Sequence, residues 1–321
     1  MIHANDIVVN KPLIGDVKTV LVPMCIPENM GYDMCIDEKM IGEDFYTIIC
    51  NRQTGKLAFM ANTTKSEDLL KASYPIREQL RQVMIINRDL ASSYRKFCNL
   101  AMPTAQQTGD KFHVIKLLMD ACQSIRKKQK SKILTDKRKA HNEFKEEERH
   151  RKIKCEELNE KFVRRKFNYN EEILSNNETV SEALSRGRYM LYKYPDQWNN
   201  KQELRAFALF EKFPDIEKAY NLSIQFRDWY SKKNIGKSKL YIERELHQWY
   251  DDIELSGVSE LMNFSSTVER NEECILNYFY QNGATNAMAE NRNGKIKKFI
   301  NSNQGIRDRD FFFFRLRKYF A

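Results

Sequence analysis

Segments typical of β-strands are confined to one part of this 321-residue chain, and that confinement limits the folds it can adopt. Short apolar or alternating runs, which favour strands, occupy Tyr32 to Met40, Phe45 to Cys50, Leu57 to Asn62, Gln82 to Asn87 and Ala105 to Gly109. Turn chemistry separates the second run from the third, at Gln53-Thr-Gly-Lys56. Helices are predicted over Ser66 to Leu80, where Pro75 should kink or split the helix, and over Leu90 to Leu100. Strands that alternate with helices predict an α/β unit.

The strand signal disappears from about Ser124 to Thr267, and helical patterns replace it. From Phe112 onward, apolar residues recur at helical spacing. Later helices are rich in aromatic residues, which favours an all-helical core built on them; they include Trp198, Phe207, Phe210, Phe226, Trp229, Tyr230, Trp249 and Tyr250. For Trp229 and Trp249, the alternative is an exposed indole on which DNA bases stack.

The chain is basic, with 54 Lys and Arg against 44 Asp and Glu and a net charge of +10. Within Lys111 to Asn170 there are 19 Lys and Arg and 9 Asp and Glu, so this segment alone carries a net charge of +10. One interpretation is a solvated helix with mixed ion pairs. The other is a surface that follows the phosphates of a nucleic acid.

The seven cysteines are scattered and form no Cys-x-x-Cys pair, which argues against a disulfide framework and against a zinc ribbon. We therefore expect a cytoplasmic protein without a signal peptide, and the sequence has no apolar run long enough to span a membrane. No phosphate loop, dinucleotide-binding glycine motif, serine-hydrolase elbow or His-Glu-x-x-His motif is present.

Three acidic residues carry most of the chemical information: Asp37, Asp89 and Glu290. The first two lie in or directly after apolar runs, and the third lies on a polar helical stripe, so folding could bring them together. Clustered carboxylates bind Mg²⁺ or Mn²⁺, and two such ions about 4 Å apart promote phosphodiester chemistry. Each residue also has a simpler explanation: a paired structural carboxylate for Asp37, a cap for the helix from Leu90 for Asp89, and a surface stripe for Glu290.

Four segments together resemble a known family. They are Ile36-Asp-Glu38, Asp89-Leu-Ala-Ser-Ser-Tyr94, Asp110-Lys-Phe-His-Val-Ile-Lys-Leu117 and Thr285-Asn-Ala-Met-Ala-Glu-Asn-Arg-Asn-Gly-Lys-Ile-Lys297. Their order is similar to that in the ISL-three family of bacterial insertion-sequence DDE transposases. Ser185 to Lys193 with Pro195, and Leu222 to Trp229, also resemble that family's helical region.

The resemblance implies an RNase H-like catalytic core with a mixed sheet, interrupted by a large all-helical insertion before the last catalytic helix. The expected division is a lead-in at 1–30, the first part of the core at 31–124, the helical insertion at 125–267, and the last part of the core with basic helices at 268–321. By the same resemblance, Asp37, Asp89 and Glu290 are the metal-binding catalytic acids. Asp110 and His113 match the family's Asp-x-x-His element beside the active site.

The resemblance further implies a transposase that uses two Mg²⁺ or Mn²⁺ ions, acts on transposon ends and target DNA, and works in the bacterial nucleoid as a homodimer. Larger members carry an amino-terminal zinc-binding and helix-turn-helix region, and no cysteine cluster precedes Asp37, which leaves room for a separate end-recognition protein. Basic residues expected to contact DNA are Arg126, Lys127, Lys128, Arg292, Lys295, Lys297 and Lys298. Two alternatives stay open: a non-transposing DNA-binding regulator derived from a transposase, and a structure-specific nuclease.

Overall fold

The computed structural model describes residues 20–280, 295, 298–299, 301–302 and 308–320, and its chain forms two compact units. The first unit contains the described residues up to Ile115, the segment Ser231–Glu243, and the described residues from Thr267 onward. The second contains Lys116–Tyr230 and Arg244–Ser266. The division predicted from the sequence, with boundaries after residues 30, 124 and 267, stays a prediction.

A mixed six-stranded sheet forms the centre of the first unit. Its strands are β1 (Met24–Cys25), β2 (Asp33–Ile41), β3 (Asp44–Asn51), β4 (Leu57–Ala61), β5 (Ile85–Arg88) and β6 (Gln106–Gly109). They lie in the order β1-β4-β3-β2-β5-β6. Strands β1 to β4 pair antiparallel, whereas β2 pairs with β5, and β5 with β6, in parallel.

This strand order confirms the expected fold class. An antiparallel meander of β2, β3 and β4, extended beyond its first strand by two parallel strands, is the RNase H-like arrangement. The short strand β1 adds an edge strand to that sheet, beside β4. A parallel connection needs a crossover, and helices supply it after β4 and again after β5.

Helices cover both faces of the sheet. The helices between the strands are α1 (Ser66–Ala72), α2 (Arg77–Arg81) and α3 (Ser92–Ala101), and the break between α1 and α2 falls at Pro75, where the sequence predicted one. Because side chains alternate along a strand, Met34 and Ile36 face the core formed with α1 and α3. Cys35 faces the opposite core, together with a carboxyl-terminal helix that we number α11 (Arg309–Phe320).

Two tight turns connect the meander, and each contains a glycine in the left-handed region. Gly42 has φ of 64° between β2 and β3, where Ile41 pairs directly with Asp44. Gly55 has φ of 70° in the predicted Gln53–Lys56 turn. Residues with a side chain rarely adopt this conformation, so both glycines are required by the turns.

The second unit is helical. Helix α4 (Lys111–Glu157) starts in the first unit and continues into the second, followed by α5 (Val180–Met190), α6 (Asn200–Lys212) and α7 (Pro214–Trp229). Helix α8 (Lys239–Ser256) begins in the first unit and continues into the second, α9 (Ser259–Glu269) ends in the first unit, and α10 (Glu272–Tyr280) belongs to the first unit. Thr179 and Asn199 begin α5 and α6 with capping boxes, which satisfy the first free backbone N–H groups.

Aromatic side chains pack the interior of this unit. Phe226 contacts the rings of Trp229, Trp249 and Phe264, and both tryptophans are buried. The indole N–H of Trp249 donates to the backbone oxygen of Leu222 at 2.9 Å. The two tryptophans therefore form part of the core in this structure. In the described part of the chain, no helix combines the length and hydropathy needed to cross a membrane.

Candidate active site

Three neighbouring parallel strands carry an aspartate at the same level of the sheet. The register pairs Cys35 of β2 with Asn87 of β5, and Asn87 with Thr108 of β6. Asp37, Asp89 and Asp110 each follow these residues by two positions. Because adjacent strands lie about 4.8 Å apart, the three aspartates form a row, with Asp37 within β2 and with Asp89 and Asp110 directly after the carboxyl ends of β5 and β6. Ligand sites of α/β sheets commonly lie at this edge.

Asp37 is half-buried and has a cation beside it. Its Oδ2 lies 2.5 Å from the Nζ of Lys39, and its Oδ1 accepts a 2.7 Å hydrogen bond from the backbone N–H of Glu38. Lys39 is two residues further along β2, so the alternation of side chains puts it on the same face. The ammonium thus neutralises Asp37 within this structure.

Asp89 lies directly after β5, in the loop before α3. Its Oδ1 accepts a 2.8 Å hydrogen bond from the N–H of Ala91, so the carboxylate organises the loop, although the residue flanking the helix is Ala91 itself. Burial raises the pKa of the Asp89 carboxyl, and the charge of Asp37 raises it further, whereas the Ala91 hydrogen bond and His113 lower it. Asp37 and Asp89 therefore lie close enough to repel each other.

A buried arginine fixes the backbone beside Asp89. Arg88 is only 1% exposed, and its guanidinium donates to the backbone oxygen of Asp89 at 2.7 Å. It also donates to Oε1 of Gln107 at 2.6 Å and to Oδ1 of Asn271 at 3.3 Å. These bonds link the end of β5 to β6 and to the residue that precedes α10. Asn277 of α10 adds two further bonds to β6, at Gln106 and Gln107, each of 2.9 Å.

Asp110 and His113 form a hydrogen-bonded pair at the start of α4. Nδ1 of His113 lies 3.1 Å from Oδ2 of Asp110, whose Oδ1 accepts a 2.9 Å bond from the N–H of Phe112. The hydrogen bond to Asp110 raises the pKa of His113, and the charges of Asp37 and Asp89 raise it further, against an opposing effect of burial. The pair thus belongs to the same electrostatic environment as the two acids.

Glu38 is an acidic residue of this region that the sequence analysis did not predict as part of the site. It lies on the opposite face of β2 from Asp37, paired with Thr47, whose hydroxyl contacts that of Tyr94 at 3.0 Å. Burial raises the pKa of Glu38, and Asp89 and then Asp37 add to the rise. Its position next to Asp37 in the sequence was visible, but its interaction with Asp89 depends on strand pairing.

Glu290, the third expected acid, lies outside the described residues, so its predicted approach to Asp37 and Asp89 stays a prediction. Among the residues that the structure describes, no group of three His, Cys, Asp or Glu side chains is arranged to hold a metal ion. Asp37 and Asp89 nevertheless fit part of such a site. Both supply the hard oxygen donors that Mg²⁺ and Mn²⁺ prefer, and their mutual repulsion is the effect that a cation relieves.

The residues expected to contact DNA differ in their surroundings. Lys127, Lys295 and Lys298 are exposed. Lys128 is exposed but lies 3.2 Å from Glu260, and Arg126 is buried in the second unit. Arg292 and Lys297 lie outside the described residues.

An RNase H-like sheet with a row of aspartates across its parallel strands is typical of enzymes that process nucleic acids. A family model described as a transposase matches residues 34–316, so the chain belongs to the ISL-three family of DDE transposases. This confirms the resemblance found in the sequence, and transposases act on DNA. Neither the curated proteins nor the solved structures contain a match to the chain.

Proposed function

We propose that this transposase cuts DNA at the ends of its element in a metal-dependent reaction and joins the freed 3′ hydroxyl to target DNA. Hydrolysis of the end phosphodiester yields that hydroxyl, which then attacks a target phosphodiester and displaces its 3′ oxygen. The supporting observation is the aspartate row, in which Asp37 and Asp89 repel each other. When bound, divalent ions activate the attacking oxygen and stabilise the leaving one.

In this proposal Asp37 and Asp89 hold the ions together with Glu290. Lys39 would have to leave Asp37 for a cation to bind there, because both compete for the same carboxylate oxygens. Asp110 orients His113 beside the row through their hydrogen bond. Arg88 fixes the backbone of Asp89 through a hydrogen bond to its carbonyl oxygen. Exposed basic residues, including Lys127, Lys295 and Lys298, bind backbone phosphates and contribute little to sequence recognition.

To test this, the full chain is incubated with labelled element ends, a supercoiled plasmid and Mg²⁺, and the products are separated by gel electrophoresis. Joined end-plasmid product supports transposition. Cleaved ends without joined product indicate a structure-specific nuclease, and binding without cleavage indicates a regulator. A matched reaction with EDTA must give no cleavage, because the proposal requires a metal.

A further inference from the structure

A basic depression lies on the second unit, whereas the three aspartates of the row belong to the first. It is an open cavity of about 380 Å³ between α4 and α5. Helix α4 lines it with Arg126, Lys127, Lys130, Ser131 and Leu134, and α5 lines it with Ser185 and Arg188. We call these residues the basic depression. Its lining contains four cationic residues and two hydroxyls and no acid.

Arg126 is the floor of the basic depression and is held in place by the protein. It is only 5% exposed, its Nε donates to Oε1 of Gln123 at 2.6 Å, and its Nη1 donates to the backbone oxygen of Leu184 at 2.6 Å. Gln123 in turn donates to the backbone oxygen of Arg188 at 2.9 Å. Neither bond of Arg126 uses Nη2. A guanidinium fixed in this way can present its remaining N–H groups without further loss of side-chain freedom.

The charges of the basic depression oppose one another. Burial lowers the pKa of Arg126, and the charge of Arg188 lowers it further. Both partners of Arg126 are neutral oxygens, which do not cancel its charge. The buried Arg126 and the exposed Arg188 are like charges that repel each other, and an anion bound between them would relieve that repulsion.

Two cations that neighbour the basic depression in the sequence differ from it, because carboxylates neutralise them. Arg186, two residues before Arg188 on α5, lies 2.9 Å from Glu178 and 3.1 Å from Glu182. Lys128, next to Lys127 on α4, lies 3.2 Å from Glu260. The lining of the basic depression thus contains four cationic residues and no acid, whereas these two neighbouring cations are paired with carboxylates.

We propose that the basic depression binds one phosphate group of the DNA backbone, with Arg126 and Arg188 as its principal donors and Lys127 and Lys130 adding charge. Arginine presents several N–H groups in one plane, which suits two oxygens of one phosphate. The hydroxyls of Ser131 and Ser185 can donate to the same group. This inference rests on the proposed function, because it assigns part of the DNA to a defined position on the second unit.

The test compares Arg188→Ala with Arg186→Ala in the full chain. Both residues are exposed arginines of α5, so both substitutions remove one charge from one helix. Binding of a fluorescent DNA duplex is measured by anisotropy over a series of salt concentrations. We expect Arg188→Ala to weaken binding about tenfold at low salt and to reduce the slope of log K against log salt by about 0.9, the value for one phosphate contact. Arg186→Ala should change neither.

A second pair of variants, Lys127→Ala and Lys128→Ala, keeps the proposal testable if Arg188→Ala impairs folding. Lys127→Ala should reduce the same slope, whereas Lys128→Ala should change it less, and melting temperatures verify that all four variants fold. Equal slopes for Arg188→Ala and Arg186→Ala in folded proteins would overturn the proposal. If the wild-type protein cleaves element ends but the variants of the basic depression bind DNA as well as wild type does, this inference alone is refuted. If the wild-type protein neither binds nor cuts DNA, the proposed function is refuted.

A titration with inorganic phosphate separates a backbone phosphate from a free one. If phosphate raises the melting temperature of wild type and not of Arg188→Ala, and the DNA slopes differ as expected, the basic depression binds phosphate and DNA is its source. If phosphate has that effect but the DNA slopes are equal, the basic depression binds a free phosphate ester, and the DNA assignment is wrong.

Discussion

Asp89 lies where an ionised carboxylate is unfavourable. Burial and the charge of Asp37 both raise its pKa, and only the Ala91 hydrogen bond and nearby cationic groups compensate. An asparagine at this position would stabilise the loop as well, because its side-chain oxygen could still accept the hydrogen bond from the N–H of Ala91. The carboxylate is therefore better explained by binding a cation than by stabilising the fold.

We predict that Asp89→Asn abolishes Mg²⁺-dependent cleavage and leaves DNA affinity unchanged or slightly increased. The substitution removes a metal ligand, but it also removes one negative charge that repels phosphate. Gel assays of cleavage and anisotropy measurements of binding check the two parts. The matched control is Asp120→Asn, an exposed acid of α4 paired with Lys116 at 2.9 Å, which should cleave as wild type does. Wild-type cleavage by Asp89→Asn would show that the site is assigned wrongly.

His113 should titrate above its ordinary pKa of about 6.5. The main cause of the raised pKa is the hydrogen bond of His113 to Asp110, and the negative charges of Asp37 and Asp89 raise it further. We expect Asp110→Asn to lower the pKa of His113, as followed by NMR of its ring protons in EDTA, with His113→Gln used to assign the signal. An unchanged pKa would mean that the 3.1 Å contact does not persist in solution.

The same pair should make stability depend on pH. Because the folded-state pKa of His113 is raised, the protonated pair stabilises the fold fully below the unfolded-state pKa, and that contribution is lost as pH rises through the folded-state pKa. The unfolding free energies of wild type and Asp110→Asn should therefore differ more in mild acid than in mild alkali. Urea unfolding at several pH values checks this, and a difference that grows with pH would contradict it.

Among the secondary-structure elements, the meander and its crossovers were predictable and the contacts of the helical unit were not. Alternation and turn residues mark β2 to β4, and Pro75 marks the break between α1 and α2. The aspartate row also follows from the positions of Asp37, Asp89 and Asp110 once the strands are paired. In contrast, Arg126 reaches the backbone oxygen of Leu184, 58 residues away, and no local pattern encodes that contact.

We predict that Trp249→Ala destabilises the protein by about 3–5 kcal/mol, because the indole is 4% exposed and packs against Phe226 and Phe264. The substitution also removes the donor to Leu222. Phe207→Ala is the control: it deletes an aromatic ring from a helix of the same unit, but Phe207 is 64% exposed, so its cost should be small. Thermal and urea unfolding measure both. A stable Trp249→Ala protein that binds single-stranded ends weakly would instead favour base stacking.

For the whole molecule, the distribution of charge predicts how it binds DNA. The net charge of +10 is carried by many lysines and arginines, of which several in the described residues are paired with carboxylates and contribute little attraction. Contacts to phosphate carry no sequence information. Binding should thus be strong at low salt and should fall steeply as salt rises.

We therefore predict that the chain binds an element end and an unrelated duplex of equal length with similar affinity, and that the two plots of log K against log salt have similar slopes. Each phosphate neutralised releases counterions, and this contribution is the same for any sequence. Anisotropy titrations of both duplexes at several salt concentrations provide the measurement. A chain that prefers the element end by about a thousandfold at physiological salt would reach the range of specific DNA-binding proteins, and it would have to read base edges with residues other than the lysines and arginines that bind phosphate.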